Sequence, residues 1–582
     1  GSRSVLLSVL KNGAVSTLDI IEGIRKKVEE IRETLPQNLN ISFVGDQSIF
    51  VRAAIESVVR EGLIAAALTS LMILLFLGSV RSTLIIATSI PLAVLSAIAL
   101  LSAIGETLNI MTLGGLALAV GILVDEATVT IENINYHLEQ GKDVETAIID
   151  GANQIATPAF VSMLCVCIVF VPMFLLKGVA RFLFVPLAES VMFAMASSFL
   201  LSRTLVPTMA KYMLKPHVHH HEAPRSYNPF VLFQRWFERS FERMRLSYKS
   251  ALTSVVRTRG LFLTLFMAFV AASFLLAPSL GRNFFPSVDA GQILMHVRAQ
   301  VGTRLEETAN QFAAIEKSIR RIIPPSELAT VTDNIGIPVS GINMSYNNTG
   351  LIGSQDGDIQ ITLNEGHKPT PDYIRRLRVE LPKQFPGCVF SFLPADITSQ
   401  ILNFGAPAPI DLQIRGPNIP ANFAYAGRLV NDLRHIPGIS DVRIQQSRNN
   451  PTFDVDVDRT RAQYIGLTER DVTNALAVSL AGTSQVSPAF WLNPANGVQY
   501  PIAVQTPQYR VDTMSALEGM PITPATAAEP QILGSVATLK RKATNAVFSQ
   551  YDIQSLVQIF ATPQDRDLGA VADAVQEVVD RN

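Results

Sequence analysis

Residues 114–133 read GGLALAVGILVDEATVTIEN, an apolar run broken near its middle by Asp125 and Glu126. On a helix rising 1.5 Å per residue, Asp125 lies about 26 Å beyond Leu108 and about 10 Å before Glu132. Neither short side chain reaches water from that depth. A carboxylate inside a bilayer costs at least ~2.5 kcal/mol, so the two acids must face a protein interior or wet cavity, pair with a cation, or spend part of their time protonated. Ala117, Gly121 and Asp125 fall on one stripe at spacing four, small enough for a second helix to come close at the level of the acids. The expectation is a pair buried between helices that loads a proton from one side and releases it to the other as the helices shift. The alternative is a static, charge-paired site. An intramembrane aspartyl protease is disfavoured, because it needs carboxylates from two helices sharing a water. Sequence neighbours diverge by about 100° on one helix.

Outward from this stretch the charge-free runs mark further membrane segments. They hold 19 residues between Glu61 and Arg81, 24 between Arg81 and Glu106, 26 between Asp150 and Lys177, and 22 between Arg259 and Arg282. A hydrocarbon core needs about 20. Residues 107–132, interrupted by the acid pair, and 184–210, interrupted by Glu189 and Arg203, bring the expected number of spans to six. From Lys211 to Arg259, ten Lys/Arg stand against three Asp/Glu, which places that stretch in the cytoplasm and both flanking regions on the opposite side. Within it, residues 229–249 space Phe230, Phe233, Phe237, Phe241 and Met244 three or four apart, opposite Arg235, Glu238, Arg239 and Arg243. This predicts an amphipathic helix on the inner surface, the plainer reading being a packed helix in a cytosolic loop. His217, His219, His220 and His221 read as a solvated run rather than a metal site. Arg203, about 12 Å before Lys211, either snorkels to the headgroups, the favoured reading, or serves as a cation for the acid pair.

Beyond Gly281 the period changes to two. Ile293, Met295, Val297 and Ala299 alternate with Leu294, His296, Arg298 and Gln300, which predicts a half-buried strand. An amphipathic helix follows at 304–323, with Leu305, Ala309, Phe312, Ile315 and Ile319 on one side. Strand, loop and helix recur at 358–385, 409–436 and 553–581, and Phe453, Val455 and Val457 mark another strand. The fold class is therefore a multi-span α-helical membrane bundle joined to α+β subdomains of the split β-α-β, ferredoxin-like kind. At an offset of 550, Leu6, Val9, Leu18, Ile21, Ile24 and Val28 match Leu556, Ile559, Leu568, Val571, Ala574 and Val578. The chain thus opens and closes in one motif. With an opening GSRSVLLSVL that has neither Met nor a signal peptide, it reads as a piece of a longer, duplicated transporter.

Composition agrees with that class. The 582 residues carry 48 basic and 49 acidic side chains, which leaves no basic excess for a general nucleic-acid binder. Mean hydropathy is +0.28, high for an ordinary soluble chain of this size. Three cysteines cannot make a disulfide framework and read as small buried hydrophobes.

GILVDEATVTIENI, with the alternation of soluble and membrane blocks and the basic surface helix, resembles the resistance-nodulation-division superfamily, and in particular its hydrophobe and amphiphile efflux branch. The resemblance runs over essentially the whole chain. It implies a secondary transporter, not an enzyme, in a bacterial inner membrane with large periplasmic domains. It further implies a homotrimer, a periplasmic adaptor and an outer-membrane channel as partners, amphiphilic substrates, and proton motive force with no cofactor. Asp125 and Glu126 match the family's proton-relay acids, whose second member is more often aspartate. The family's partner lysine belongs to a second membrane block. By resemblance, residues 1–50 end a first porter region. Residues 51–216 hold five membrane helices, 217–256 the surface helix and 257–283 the sixth span. Residues 284–395 form a porter subdomain, 396–458 with 546–582 another, and 459–545 a docking part. The loop NIGIPVSGINMSYNNTG at 334–350 stands where the family has a substrate-gating loop, with Ile335, Ile337, Met344 and Tyr346 in place of phenylalanines. Export of a lipid, a protein or a metal ion, and a membrane-anchored sensor that transports nothing, are the alternative functions.

Overall fold

The computed structural model describes the chain apart from residues 1–3, 6, 8, 11, 13–14, 33–34, 37–38, 40, 44–45, 47, 78, 215–228, 278–279, 284–288, 290, 339–349, 365, 396–398, 401–402, 404, 485, 496 and 524–528. The histidine run and the tip of the 334–350 loop lie outside the described residues. The described chain divides near residue 278 into a helical unit and an α+β unit.

The helical unit runs α1 (Thr17–Arg32), α2 (Ser48–Leu77), α3 (Val80–Ala103), α4 (Ile110–Glu139), α5 (Val144–Gln154), α6 (Ala156–Phe170) with a 3₁₀ turn to Leu175, α7 (Val179–Met213), α8 (Pro229–Arg257) and α9 (Arg259–Phe274). Starts are capped where the sequence offers a cap: Ser79 before α3, Asn109 with Thr112 as a capping box before α4, Asp143 before α5. Among the described residues four helices are long and apolar enough to cross a membrane, Val80–Ala103, Ile110–Glu139, Ala156–Leu175 and Ala180–Met213, and a fifth follows if the bent pair Arg239–Arg257 and Arg259–Phe274 counts as one span. Six were expected from the charge-free runs, and the other two fall in α2 and α9. The first run lies in α2, whose apolar stretch is only Gly62–Phe76, and the last ends as a helix at Phe274, bent 94° from the preceding helix. On α8, Phe237 and Phe241 meet Phe76 of α2 edge-on, at centroid distances of 5.2 and 5.0 Å.

Helix α4 is the centre of this unit and packs against α2, α3, α5 and α7. Ile85, Ile86 and Ile90 of α3 meet Val124, Ile131 and Ile134 of α4, and Leu116, Ala119 and Leu123 meet Val191, Ala194 and Met195 of α7. The closest approach is at Gly115. A Cβ there would lie 2.6 Å from the Leu187 carbonyl and collide with Ser190 Oγ. Gly121, in contrast, faces open space.

In the second unit β1 (Gln292–Arg298), α10 (Leu305–Ile322), β2 (Leu328–Ile335), β3 (Asp356–Leu363), α11 (Thr370–Gln384) and β4 (Val389–Leu393) form an antiparallel sheet in the order β2-β3-β1-β4. Ile293, Met295 and Val297 close on Phe312, Ile315 and Ile319 of α10 and on Tyr373, Leu377 and Leu381 of α11. The strand expected to be half-buried is covered on both faces, since His296 on the other side is only 2% exposed. Period two identifies the inward residues but says nothing of a second layer.

A second sheet joins β5 (Ile410–Arg415) and, after α12 (Ile419–Leu433), β6 (Ile439–Ile444) to strands from the end of the chain. Between them stand β7 (Asn450–Val457), α13 (Arg459–Tyr464), α14 (Glu469–Ala481), the hairpin β8 (Ala489–Leu492) and β9 (Gln499–Ile502), α15 (Met514–Glu518), β10 (Pro521–Ile522), β11 (Gln531–Ile532), α16 (Leu533–Val536) and β12 (Ala537–Thr544). This insert has its own core around Leu467, Val472 and Leu533. Strands β13 (Ser549–Tyr551) and β14 (Gln554–Pro563) complete the sheet, and α17 (Leu568–Arg581) packs on it beside α12. The 550-residue offset places the matched helix residues in α1 and α17. The two sheets of this unit are joined at Asp441, which has a left-handed φ of 56° and a side chain only 4% exposed. It accepts hydrogen bonds from Arg378 Nε at 3.0 Å, Arg378 Nη2 at 2.6 Å and the Phe392 backbone N–H at 3.0 Å.

Two outcomes follow from this packing. Gly115→Leu drives a side chain into the α7 backbone and should lower stability by ~1–3 kcal/mol, read as a drop in the melting temperature of the detergent-solubilised protein. Arg378→Met strands the Asp441 carboxylate and should destabilise by ~3–5 kcal/mol in the same measurement, with Asp441→Asn in the Met background recovering part of the loss.

Candidate functional site: an acid on the buried face of α4

Asp125 and Glu126 lie midway along α4, and the structure separates them. Glu126 is 7% exposed, on the face packed by the other helices. Asp125 is exposed, on a stripe with Gly114, Leu118, Gly121, Val129 and Glu132. The expectation that both acids are buried between helices is therefore corrected. The 100° that separates helical neighbours lets one packed face enclose only one of them. The Gly121 stripe is open, and Gly115 with Ala119, roughly opposite it, provides the close helix contact.

Helix α7 brings two polar groups to this level. Ser198 Oγ donates to the Leu123 carbonyl at 3.2 Å, which ties α7 to α4 three residues before Glu126. Arg203 donates from Nη1 to the Ala152 carbonyl at 3.3 Å, at the C-terminal end of α5, and its guanidinium lies 5.5 Å from the centre of the Phe199 ring. Carbonyls at a helix C-terminus carry partial negative charge, so this is a favourable seat for a cation. Arg203 Nε and Nη2 are buried without a partner among the described residues, and so is Glu126 Oε2. The two side chains act on each other electrostatically but form no ion pair within 4.0 Å. Arg203 is thus half-buried, held on the Ala152 carbonyl and within electrostatic reach of Glu126. A carboxylate held out of water beside a fixed cation it does not touch can take up and release a proton as small helix displacements change their separation.

The four loop residues singled out by resemblance are not gathered into a site among the described residues. Ile335 ends β2 and packs on the first sheet's core, and Ile337 is 42% exposed. Met344 and Tyr346 lie outside the described residues. The far edge of that loop does line a cavity of about 280 Å³, where Leu351 and Ile352 face Pro407, Gln445, Gln446 and Phe560. Beneath Phe560 lies Arg443, whose guanidinium is 5.4 Å from the ring centre. Burial lowers the Arg443 pKa to about 10, and its Nε and Nη2 have no partner among the described residues. The sequence carried no signal for this cavity, because its walls come from segments about 200 residues apart.

In the first sheet Asp358, His296 and Ser391 stand in register on three adjacent strands, with His296 Nδ1 2.8 Å from Asp358 Oδ1. The order is that of a hydrolase triad. His296 and Ser391 are 2% and 0% exposed, however, and Ser391 Oγ has no hydrogen bond, so the row functions as sheet packing.

The family model for AcrB/AcrD/AcrF proteins matches residues 1–582. The chain belongs to the AcrB/AcrD/AcrF family, and so to the resistance-nodulation-division transporters. Among curated relatives it is similar to the multidrug resistance protein MdtC of Citrobacter koseri, 26% identical over 523 residues, which cover 89% of this chain and 47% of that protein. MdtC of Escherichia coli K12 is likewise 26% identical over 524 residues, covering 89% and 48%. The chain thus spans about half the length of the curated relatives it matches. The crystal structure of a heavy metal efflux pump shares the fold, with a TM-score of 0.78 and 22% identity, covering 97% of this chain and 54% of that one. Helix α4 is long and apolar enough to cross a membrane, and its buried acid is the group to test. Arg203→Met and Glu126→Gln should each destabilise the protein. In a double-mutant cycle read by thermal unfolding they should couple by ~0.5–3 kcal/mol, the double variant losing less than the sum.

Proposed function

We propose that this chain is the central part of a proton-driven efflux transporter that exports hydrophobic or amphiphilic compounds. The observation that carries the reading is Glu126, a carboxylate 7% exposed on an apolar helix long enough to cross a membrane, with Arg203 within electrostatic reach. Such a group is expensive to keep in a bundle unless its protonation is used. On this reading Asp125 and Glu126 are the relay acids and Arg203 the cation of the same helical block. Asp125, on the open stripe of α4, faces the second membrane block of the whole pump, from which the family's lysine comes. Moving one charge through ~100 mV is worth about 2.3 kcal/mol, which supports roughly a fortyfold gradient per proton from voltage alone. The driving force is the proton motive force, with no cofactor.

The pump sits in a bacterial inner membrane as a homotrimer, joined to a periplasmic adaptor and an outer-membrane channel. Residues 284–395, and 396–458 with 546–582, are periplasmic porter subdomains of the split β-α-β, ferredoxin-like kind, and 459–545 is the docking part. The strand order β2-β3-β1-β4, with both helices on one face, supports that assignment. The cavity beside Phe560, with apolar walls and glutamine amides, suits an amphiphile better than a small inorganic ion.

The test is drug susceptibility of a pump-deficient Gram-negative host carrying the full-length protein. Asp125→Asn and Glu126→Gln should each return the host to the susceptibility of the empty strain with normal membrane levels of the protein. Undiminished resistance from both variants would overturn the reading.

A further inference from the structure

Glu126 does not stand alone on its face of α4. Thr130, Asn133 and His137 follow at steps of four, three and four, and eleven residues make three turns plus only about 20°. The four side chains therefore form one row about 16 Å long. Glu126, Thr130 and His137 are 7%, 0% and 8% exposed, and Asn133 is half-buried. Polar groups on a packed helix face need partners: Thr130 Oγ1 donates to the Glu126 carbonyl at 2.7 Å, and Asn133 and His137 find theirs on α5. Asn133 Nδ2 donates to the Gly151 carbonyl at 2.8 Å and to Gln154 Oε1 at 3.2 Å. The same Gln154 oxygen meets His137 Nε2 at 2.9 Å. An amide oxygen only accepts, so Nε2 carries the hydrogen and the neutral ring keeps its lone pair on Nδ1. That Nδ1 is buried and has no partner among the described residues. Gln154 is exposed, so the row runs from the buried acid to the surface at the α4–α5 end.

We propose that Thr130, Asn133 and His137 form the proton exit path from Glu126, with His137 as its last relay. The proposal rests on the proton-coupled reading above and adds the route. When Glu126 gives up its proton, the proton passes through water bonded to Thr130 Oγ1 and Asn133 to Nδ1 of His137, making an imidazolium and leaving a carboxylate opposite Arg203. The imidazolium then gives up its Nε2 proton to water at the exposed Gln154 end, keeping the proton received at Nδ1, and a turn of the ring restores the starting tautomer. One proton enters at Glu126 and one leaves at His137. The charged groups around the exit are Asp150 with Lys142, at 2.6 Å, from α5 and the turn before it. Glu145 of α5 pairs with Lys211 of α7 at 2.7 Å, and Arg203 of α7 holds the Ala152 carbonyl. The Tyr136 ring lies edge-on at 5.7 Å, and α2 and α3 supply Ile73, Ile85 and Ile86 to the surrounding core.

The test uses the full-length pump in proteoliposomes, with transport driven by an imposed pH gradient and measured against pH on the side of the α4–α5 turn. His137→Gln should slow transport about tenfold or more. Added imidazole should restore part of the rate to His137→Ala, which a merely structural histidine would not allow. Transport by His137→Gln at the unaltered rate and with the unaltered pH profile, while Glu126→Gln is inactive, would overturn the route and leave the coupling reading standing. Transport by Glu126→Gln would overturn both. Should His137→Gln fail to assemble, His137→Ala decides: no gain of rate on adding imidazole overturns the route.

Discussion

A carboxylate enclosed among apolar helices is the constraint on which the helical unit turns. Removing the Glu126 charge from water is costly, and the cost falls only if cations, dipoles or a proton compensate it. Everything around α4 is arranged to hold that side chain in place. The Asn109–Thr112 capping box fixes where the helix begins, Gly115 lets the α7 backbone come close, and Ser198 ties α7 to the Leu123 carbonyl. Arg203 arrives from α7 and is held off direct contact by its bond to α5. An ion pair closed at hydrogen-bond distance would fix one protonation state. An acid and a cation held apart leave the acid free to exchange.

The α+β unit is governed by a different constraint, the joining of two one-sided sheets. Each sheet covers one face with its own helices and has a second face to satisfy. Charged and amide side chains do this along the seam: Arg378 with Asp441, Arg298 Nη1 with the Gln445 carbonyl at 3.1 Å, and the Gln445 side chain with the Gly350 carbonyl at 2.8 Å. The bidentate bond at Asp441 is buried and charge-assisted, and the bond of the Gln445 side chain is single and neutral. The cavity opens at the weaker end, where Gln445 and Gln446 line it. Membership of the AcrB/AcrD/AcrF family is consistent with both units, and the likeness to a heavy metal efflux pump at 22% identity speaks for the shared fold alone.

Much of this was legible in the residues themselves. Alternation along 293–299 names the inward side of β1, because successive side chains on a strand point to opposite faces regardless of context. The 3.6-residue period does the same for Phe312, Ile315 and Ile319 of α10, though Leu305 at its start is 46% exposed. An acid doublet inside an apolar run marks its own importance, since the energetic cost follows from composition alone. Helix ends were less legible: a low density of charge marks an apolar stretch, but where a helix bends or ends depends on its neighbours.

By itself, then, the sequence determined the division into an apolar helical block and alternating β-α-β segments, the inward face of most elements, and the position of Asp125 and Glu126 along α4. These are local properties, set by periodicity and by the transfer energies of individual side chains. Only the tertiary structure decided which acid is enclosed, that Arg203 is held on the Ala152 carbonyl, that Gln154 and His137 meet, and that Leu351, Gln445 and Phe560 share a cavity. Each of those depends on the rotation of one element against another, which sums many weak contacts between residues far apart in the chain and leaves no periodic trace in the order of amino acids.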